Sequence, residues 1–152
     1  MSDDASRPAR PVQILLVEDN PADVRLTLEA FRENDVANAL HVVNDGHEAI
    51  AFLRRQGPYK DAVRPDIVLL DLNLPKVNGH EVLAAIKTDE QLKHIPVLIL
   101  TTSQAEEDIM RTYELQANCY IPKPVHLDDF VTLVKYIRYF WLSIVRLPQR
   151  GP

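Results

Sequence analysis

The 152-residue sequence holds a single cysteine and no excess of positive charge, and none of its apolar runs approaches the roughly 20 residues that span a bilayer. Cys119 on its own can form no internal disulfide and no cysteine-based metal cluster. It lies in a short strand-like run and is read as a small buried residue. A formal net charge of −5 argues against broad binding to nucleic acid or anionic lipid, which relies on a concentrated basic surface, and leaves room only for a local basic patch. Neither nucleic acid nor membrane is therefore expected as a partner. The opening MSDDASRPARP lacks the apolar core of a secretory signal, so a cytoplasmic location is expected. Internal repeats and low-complexity tracts are absent as well.

What is present is the composition of one soluble globular domain, 46% hydrophobic and 26% charged. A polar, proline-containing tail (residues 1–11) precedes a domain expected over 12–146, with a short tail at 147–152. Strand-like runs are VQILLV (12–17), ALHVV (39–43), DIVLL (66–70), PVLIL (96–100) and NCYI (118–121). Continuous apolar runs of this length suit strands covered on both faces. Helices alternate with them. Asn20-Pro21 starts one that runs to about Asn34, because Asn can cap and Pro is preset for the first helical position. Asp45 caps a second to about Arg55, and His80 to about Thr88 makes a third. Ser103 with Glu106 has capping-box spacing for a fourth, and the fifth runs from near Leu127 to about Val145. The Gly- and Pro-bearing stretch QGPYKDAVRP (56–65) reads as an extended loop. Strands alternating with helices imply parallel βα units and a doubly wound (βα)₅ fold of the α/β class.

In such folds ligands collect beyond the carboxyl ends of the strands. There stand Glu18-Asp19, Asp71, Thr101-Thr102 and Lys123-Pro124. Each has an ordinary reading alone: acidic residues before a helix, a loop-opening Asp, a β-branched strand end, a solvated lysine. Together they are three carboxylates, a hydroxyl and an ammonium converging on one region. Clustered carboxylates invite a hard divalent cation, and oxygen ligands suit Mg²⁺. The five histidines, His41, His47, His80, His94 and His126, fall in separate segments without ligand-like spacing and are assigned surface or packing roles.

The strings ILLVEDN, IVLLDLNLPKVNG, PVLILTTS and YIPKP, in this order at these strand ends, resemble the receiver domain of bacterial response regulators over about residues 12–146. That resemblance implies a flavodoxin-like three-layer sandwich whose five-stranded parallel sheet runs in the order 2-1-3-4-5. It implies Asp71 as phosphoacceptor, and Mg²⁺ held by the side chains of Asp19 and Asp71 and the main-chain carbonyl of Asn73, with Glu18 acting through water. Thr101 would bond the phosphoryl group and Lys123 would pair with its charge. A cis Lys123–Pro124 peptide is implied too. Tyr120 takes the place of the switch aromatic that follows Thr101, while Asn73 and Ser103 occupy positions that tune the lifetime of the acyl phosphate. The protein would be no enzyme in the ordinary sense, but a phosphoacceptor that catalyses its own phosphotransfer and slow dephosphorylation.

The last helix, DDFVTLVKYIRYFWLSIV, carries apolar residues beyond one face. Exposed aromatics at that density are enriched at protein interfaces. With seven residues after Val145, no output domain is expected on this chain, and a phosphorylation-sensitive homodimer through the fourth helix, fifth strand and fifth helix is predicted. The 56–65 loop, the EDNPAD opening and the FWLSIV helix resemble single-domain regulators of phytochrome-type histidine kinases, which implies such a kinase as phosphodonor. A haloacid-dehalogenase-type phosphatase would need a second Asp at the place of Asn73. An FMN-binding flavodoxin would need a phosphate cradle where EDNPAD is acidic. A pseudo-receiver would have lost one of the carboxylates or the lysine.

Overall fold

Leu15 and Val17 point to one side of their strand and Ile14 and Leu16 to the other, and all four are buried. That is why the apolar run is continuous instead of alternating. A computed structural model describes residues 12–34, 38–102 and 106–139. The order is β1 (Val12–Val17), α1 (Pro21–Glu33), β2 (Asn38–Val43), α2 (Gly46–Arg54), a 3₁₀ turn (Gly57–Tyr59), β3 (Ile67–Leu70), α3 (Gly79–Lys87), β4 (Val97–Thr101), α4 (Glu106–Glu114), β5 (Cys119–Pro122) and α5 (Leu127–Tyr139). The sheet is parallel throughout and ordered β2-β1-β3-β4-β5, as the resemblance implied. Among the described residues no helix is long and apolar enough to cross a membrane.

Two cores result. One face of the sheet packs Leu15, Val17, Val68 and Leu70 against Phe52 and Leu53 of α2 and Val82, Leu83 and Ile86 of α3. The other packs Ile14, Leu16, Ile67 and Leu69 against Ala30 and Phe31 of α1 and Phe130, Val134 and Ile137 of α5. Burying both faces holds the five strand ends in one rigid row, and the register aligns Val17 with Leu70, Leu70 with Ile99 and Thr101 with Pro122.

The caps fix where each helix leaves that row. Asn20 Oδ1 accepts the N–H groups of Ala22 (2.9 Å) and Asp23 (3.2 Å), and Asp45 Oδ1 accepts that of Glu48 (2.7 Å). The third helix begins one residue before the expected His80: Asn78 caps it, accepting the Glu81 N–H at 3.0 Å. The expected Ser103 cap, the expected tails at 1–11 and 147–152, and the expected run of the last helix to about Val145 fall on or extend into residues outside the described ones. Residues 56–65 form the expected loop, with one short 3₁₀ turn in it. Their 3₁₀ turn is anchored on α2 by the Tyr59 hydroxyl, which donates to Glu48 Oε1 at 2.7 Å, and by the Tyr59 ring, 5.4 Å from that of Phe52.

Candidate functional site

The ladder bonds continue one residue past the strands and set the site in register. The N–H of Glu18 donates to Val43 O (3.0 Å), that of Asp71 to Val17 O (3.1 Å) and that of Lys123 to Thr101 O (2.8 Å). Glu18, Asp71 and Thr101 are buried, while Asp19 and Asn73 are exposed at the rim. Single carboxylate oxygens of Glu18, Asp19 and Asp71 lie within 4.8 Å of one another.

Into this cluster comes Lys123. Its ammonium lies 2.7 Å from Glu18 Oε1, 2.9 Å from Asp71 Oδ2 and 2.9 Å from Asp23 Oδ2, with 5% of the side chain exposed. Burial alone draws the Lys123 pKa down, but hydrogen bonds to Glu18, Asp23 and Asp71 outweigh it and hold the group above its ordinary value. The lysine stays charged. Glu18 moves the opposite way for an acid: burial, reinforced by the charge of Asp71, pushes it up to about 7 in spite of the bond to Lys123. One ammonium does not neutralise three crowded carboxylates. An all-oxygen donor set with surplus negative charge fits a hard divalent cation such as Mg²⁺.

Asp71 keeps both oxygens engaged, Oδ2 by Lys123 and Oδ1 by the N–H of Asn73 at 3.1 Å. A carboxylate held at both oxygens is oriented before any reaction. Gly79 permits its position, since a Cβ there would overlap the carbonyl oxygen of Asp71 and the Cα of Leu72. Tyr120 is half-buried and packs against the core on the α2–α3 side.

The structure thus brings together Glu18, Asp19, Asp71 and Lys123, with Thr101 one residue along the same row. It differs from expectation at Pro124, because no peptide bond among the described residues is cis. The trans form is favoured by about 0.5–1 kcal/mol before proline, and Lys123 reaches its partners with it. Sequence reasoning missed Asp23, the last residue of the EDNPAD string, and assigned it no role. The available signal was its place as the acidic residue in the first turn of α1, just after the Glu18-Asp19 pair. His80 is buried, with Nε2 3.9 Å from Asp108 Oδ1, and Cys119 is half-buried with its thiol pKa pushed up by that burial. Both agree with packing roles.

Comparison with known proteins agrees with this geometry. The family model for the response regulator receiver domain matches residues 14–135. The chain is 47% identical over 148 residues to the response regulator Rcp1 of Synechocystis sp., covering 97% of this chain and 99% of that protein. It is 42% identical over 143 residues to a probable methanogenesis regulatory protein, FilR2, of Methanothrix harundinacea, covering 93% and 90%. Among solved structures, the phosphorylated cyanobacterial phytochrome response regulator RcpA is similar with a TM-score of 0.87 and 51% identity, over 92% of this chain and 100% of that one. The Mn²⁺-bound form of Rcp1 follows at 0.85 and 48%, over 91% and 100%. This chain belongs to the response-regulator receiver family.

Proposed function

We propose that the protein accepts a phosphoryl group on Asp71 from a phytochrome-type histidine kinase and passes the signal on through a change of surface. The observation that carries this reading is the contact of the Lys123 ammonium with Asp71 Oδ2 inside the carboxylate cluster. A carboxylate oxygen, a fixed cation and a cation-binding set at one point are what phosphoryl transfer requires, since the reaction depends on positioning and charge neutralisation more than on acid–base chemistry.

An Asp71 oxygen attacks phosphorus, the bond from phosphorus to the donor nitrogen breaks, and that nitrogen keeps the electron pair and takes a proton. Lys123 pairs with the charge on the transferred group. Thr101 supplies a hydroxyl to a phosphoryl oxygen, and Tyr120 follows into the space this opens. Asp19, Asp71 and the Asn73 carbonyl would hold Mg²⁺, with Glu18 acting through water. When bound, the cation neutralises developing charge on the phosphoryl oxygens. Hydrolysis of the acyl phosphate resets the protein, at a rate tuned by Asn73 and Ser103.

Similarity to RcpA, a phytochrome response regulator, and to Rcp1, which has a Mn²⁺-bound form, supports both the phytochrome kinase as donor and the divalent cation. Met110, Tyr113, Val125 and Tyr136 are exposed along α4, the loop after β5 and α5. They supply an apolar surface for a homodimer through α4, β5 and α5, and mass per particle with and without phosphorylation tests it. The receiver unit is taken as residues 12–146, between tails at 1–11 and 147–152.

The primary test is intact mass after acetyl phosphate treatment of wild type and Asp71→Asn, with and without Mg²⁺. A Mg²⁺-dependent adduct of about 80 Da, one phosphoryl group, seen only in wild type is expected. No adduct under any condition would overturn the reading. Phosphotransfer from a purified phytochrome kinase tests the donor.

A further inference from the structure

The geometry points to Asp23 as the residue that positions Lys123 for phosphoryl transfer, an inference resting on the reading of Asp71 as acceptor. An ammonium has three protons to donate. Here three carboxylates stand ready to take them: Glu18 at 2.7 Å, and Asp23 and Asp71 at 2.9 Å each.

These acceptors differ in what the reaction does to them. Glu18 and Asp71 belong to the cation-binding cluster, so a divalent ion competes with Lys123 for their oxygens. Phosphorylation then removes the charge of the Asp71 oxygen that bonds to phosphorus. Asp23 is outside the cluster and is not the acceptor. Its bond to Lys123 is the one neither event disturbs, so it keeps the ammonium at the strand ends while the third Lys123 N–H switches its acceptor from Asp71 to a phosphoryl oxygen.

The backbone of Asp23 is fixed on both sides. Its N–H is held by the Asn20 cap at 3.2 Å, and its carbonyl accepts the Thr27 hydroxyl at 2.8 Å. Pro21 presets the turn it belongs to. An acidic residue there also suits the positive end of α1, but that favours any orientation of the carboxylate. A 2.9 Å bond to a buried lysine 100 residues away is more specific than the helix end requires.

The test compares wild type, Asp23→Ala and Asp23→Asn for the rate of phosphorylation by acetyl phosphate at saturating Mg²⁺, with Mg²⁺ affinity and thermal melting measured on the same samples. Asp23→Ala is expected to be slower by about tenfold with unchanged Mg²⁺ affinity, because Lys123 is free to leave the line of attack. Asp23→Asn, whose amide oxygen still accepts from Lys123, is expected to recover most of the rate. Three results would overturn the inference: Asp23→Ala reacting at the wild-type rate, a loss that tracks an equal loss of Mg²⁺ affinity, or Asp23→Asn as slow as Asp23→Ala. Wild type that forms no adduct would instead mark failure of the Asp71 reading, and the positioning role would fall with it.

Discussion

Lys123 and Glu18 meet 2.7 Å apart with 5% and 4% of their side chains exposed. Removing one member of a buried pair leaves the other uncompensated, which costs about 3–5 kcal/mol. Lys123→Ala is expected to lower the melting temperature by roughly 10 °C in chelator. A divalent cation should replace part of the missing charge, so Mg²⁺ should raise the melting temperature of the variant more than that of wild type. Equal increments in calorimetric scans would mean that lysine and cation do not share one site.

Glu18 titrates from the same geometry. Burial first, and the Asp71 charge after it, raise its folded pKa from 4.5 to about 7. The folded chain therefore keeps a proton that the unfolded chain gives up. That contribution to stability is fully present below pH 4.5 and is lost as pH rises through 7. A cation at this site competes with the same proton, so Mg²⁺ affinity should climb between pH 6 and pH 8 and then level off. Calorimetric titrations across that range should show a much flatter profile for Glu18→Gln.

Tyr59 ties the 56–65 segment to α2 through the 2.7 Å bond to Glu48. Tyr59→Phe keeps the ring on Phe52 and loses about 1 kcal/mol, measurable by urea denaturation. The bond to Glu48, and burial after it, push the Tyr59 pKa up to about 12. Raised above the ordinary 10, it gives stability that is present below pH 10 and lost as pH rises through 12. Ultraviolet titration should resolve a late phenolate that Tyr59→Phe removes.

Much of this fold was readable because its strands bury both faces: the run from Ile14 to Val17 has no polar interruption to mislead a count of periods. Asp45 and Asn20 were readable as caps because their bonds are local. The start of α3 was misplaced, since Asn78-Gly79 carries the marks of a turn while Asn78 in fact caps the helix. The site row followed from strand ends and their chemistry. Asp23 did not, because its partner lies 100 residues away and only the completed sheet lets the Lys123 side chain, after β5, reach the start of α1. The anchoring of residues 56–65 by Tyr59 was hidden for a related reason: loop composition reports turns, and the contact with Phe52 depends on how α2 packs.

Gly79 offers the sharpest separation of stability from function. Its N–H donates to Leu72 O at 3.0 Å, and an added Cβ would overlap the backbone of Asp71 and Leu72. Gly79→Ala gains up to about 1 kcal/mol of helix propensity, but overpacking costs about 1–3 kcal/mol and is relieved by moving the start of α3 or the end of β3. Either movement shifts Asp71, whose Oδ1 is held by the Asn73 N–H in the same turn. Gly57 is the matched control: its φ is +57° with nothing within 4 Å of an added Cβ, so Gly57→Ala loses about 1–2 kcal/mol to backbone strain alone. Urea denaturation should find both variants weaker than wild type. Phosphorylation by acetyl phosphate, measured where both remain folded, should slow in Gly79→Ala and be unchanged in Gly57→Ala. Equal rates in the two would show that Asp71 is held by the strand and not by the helix packed behind it.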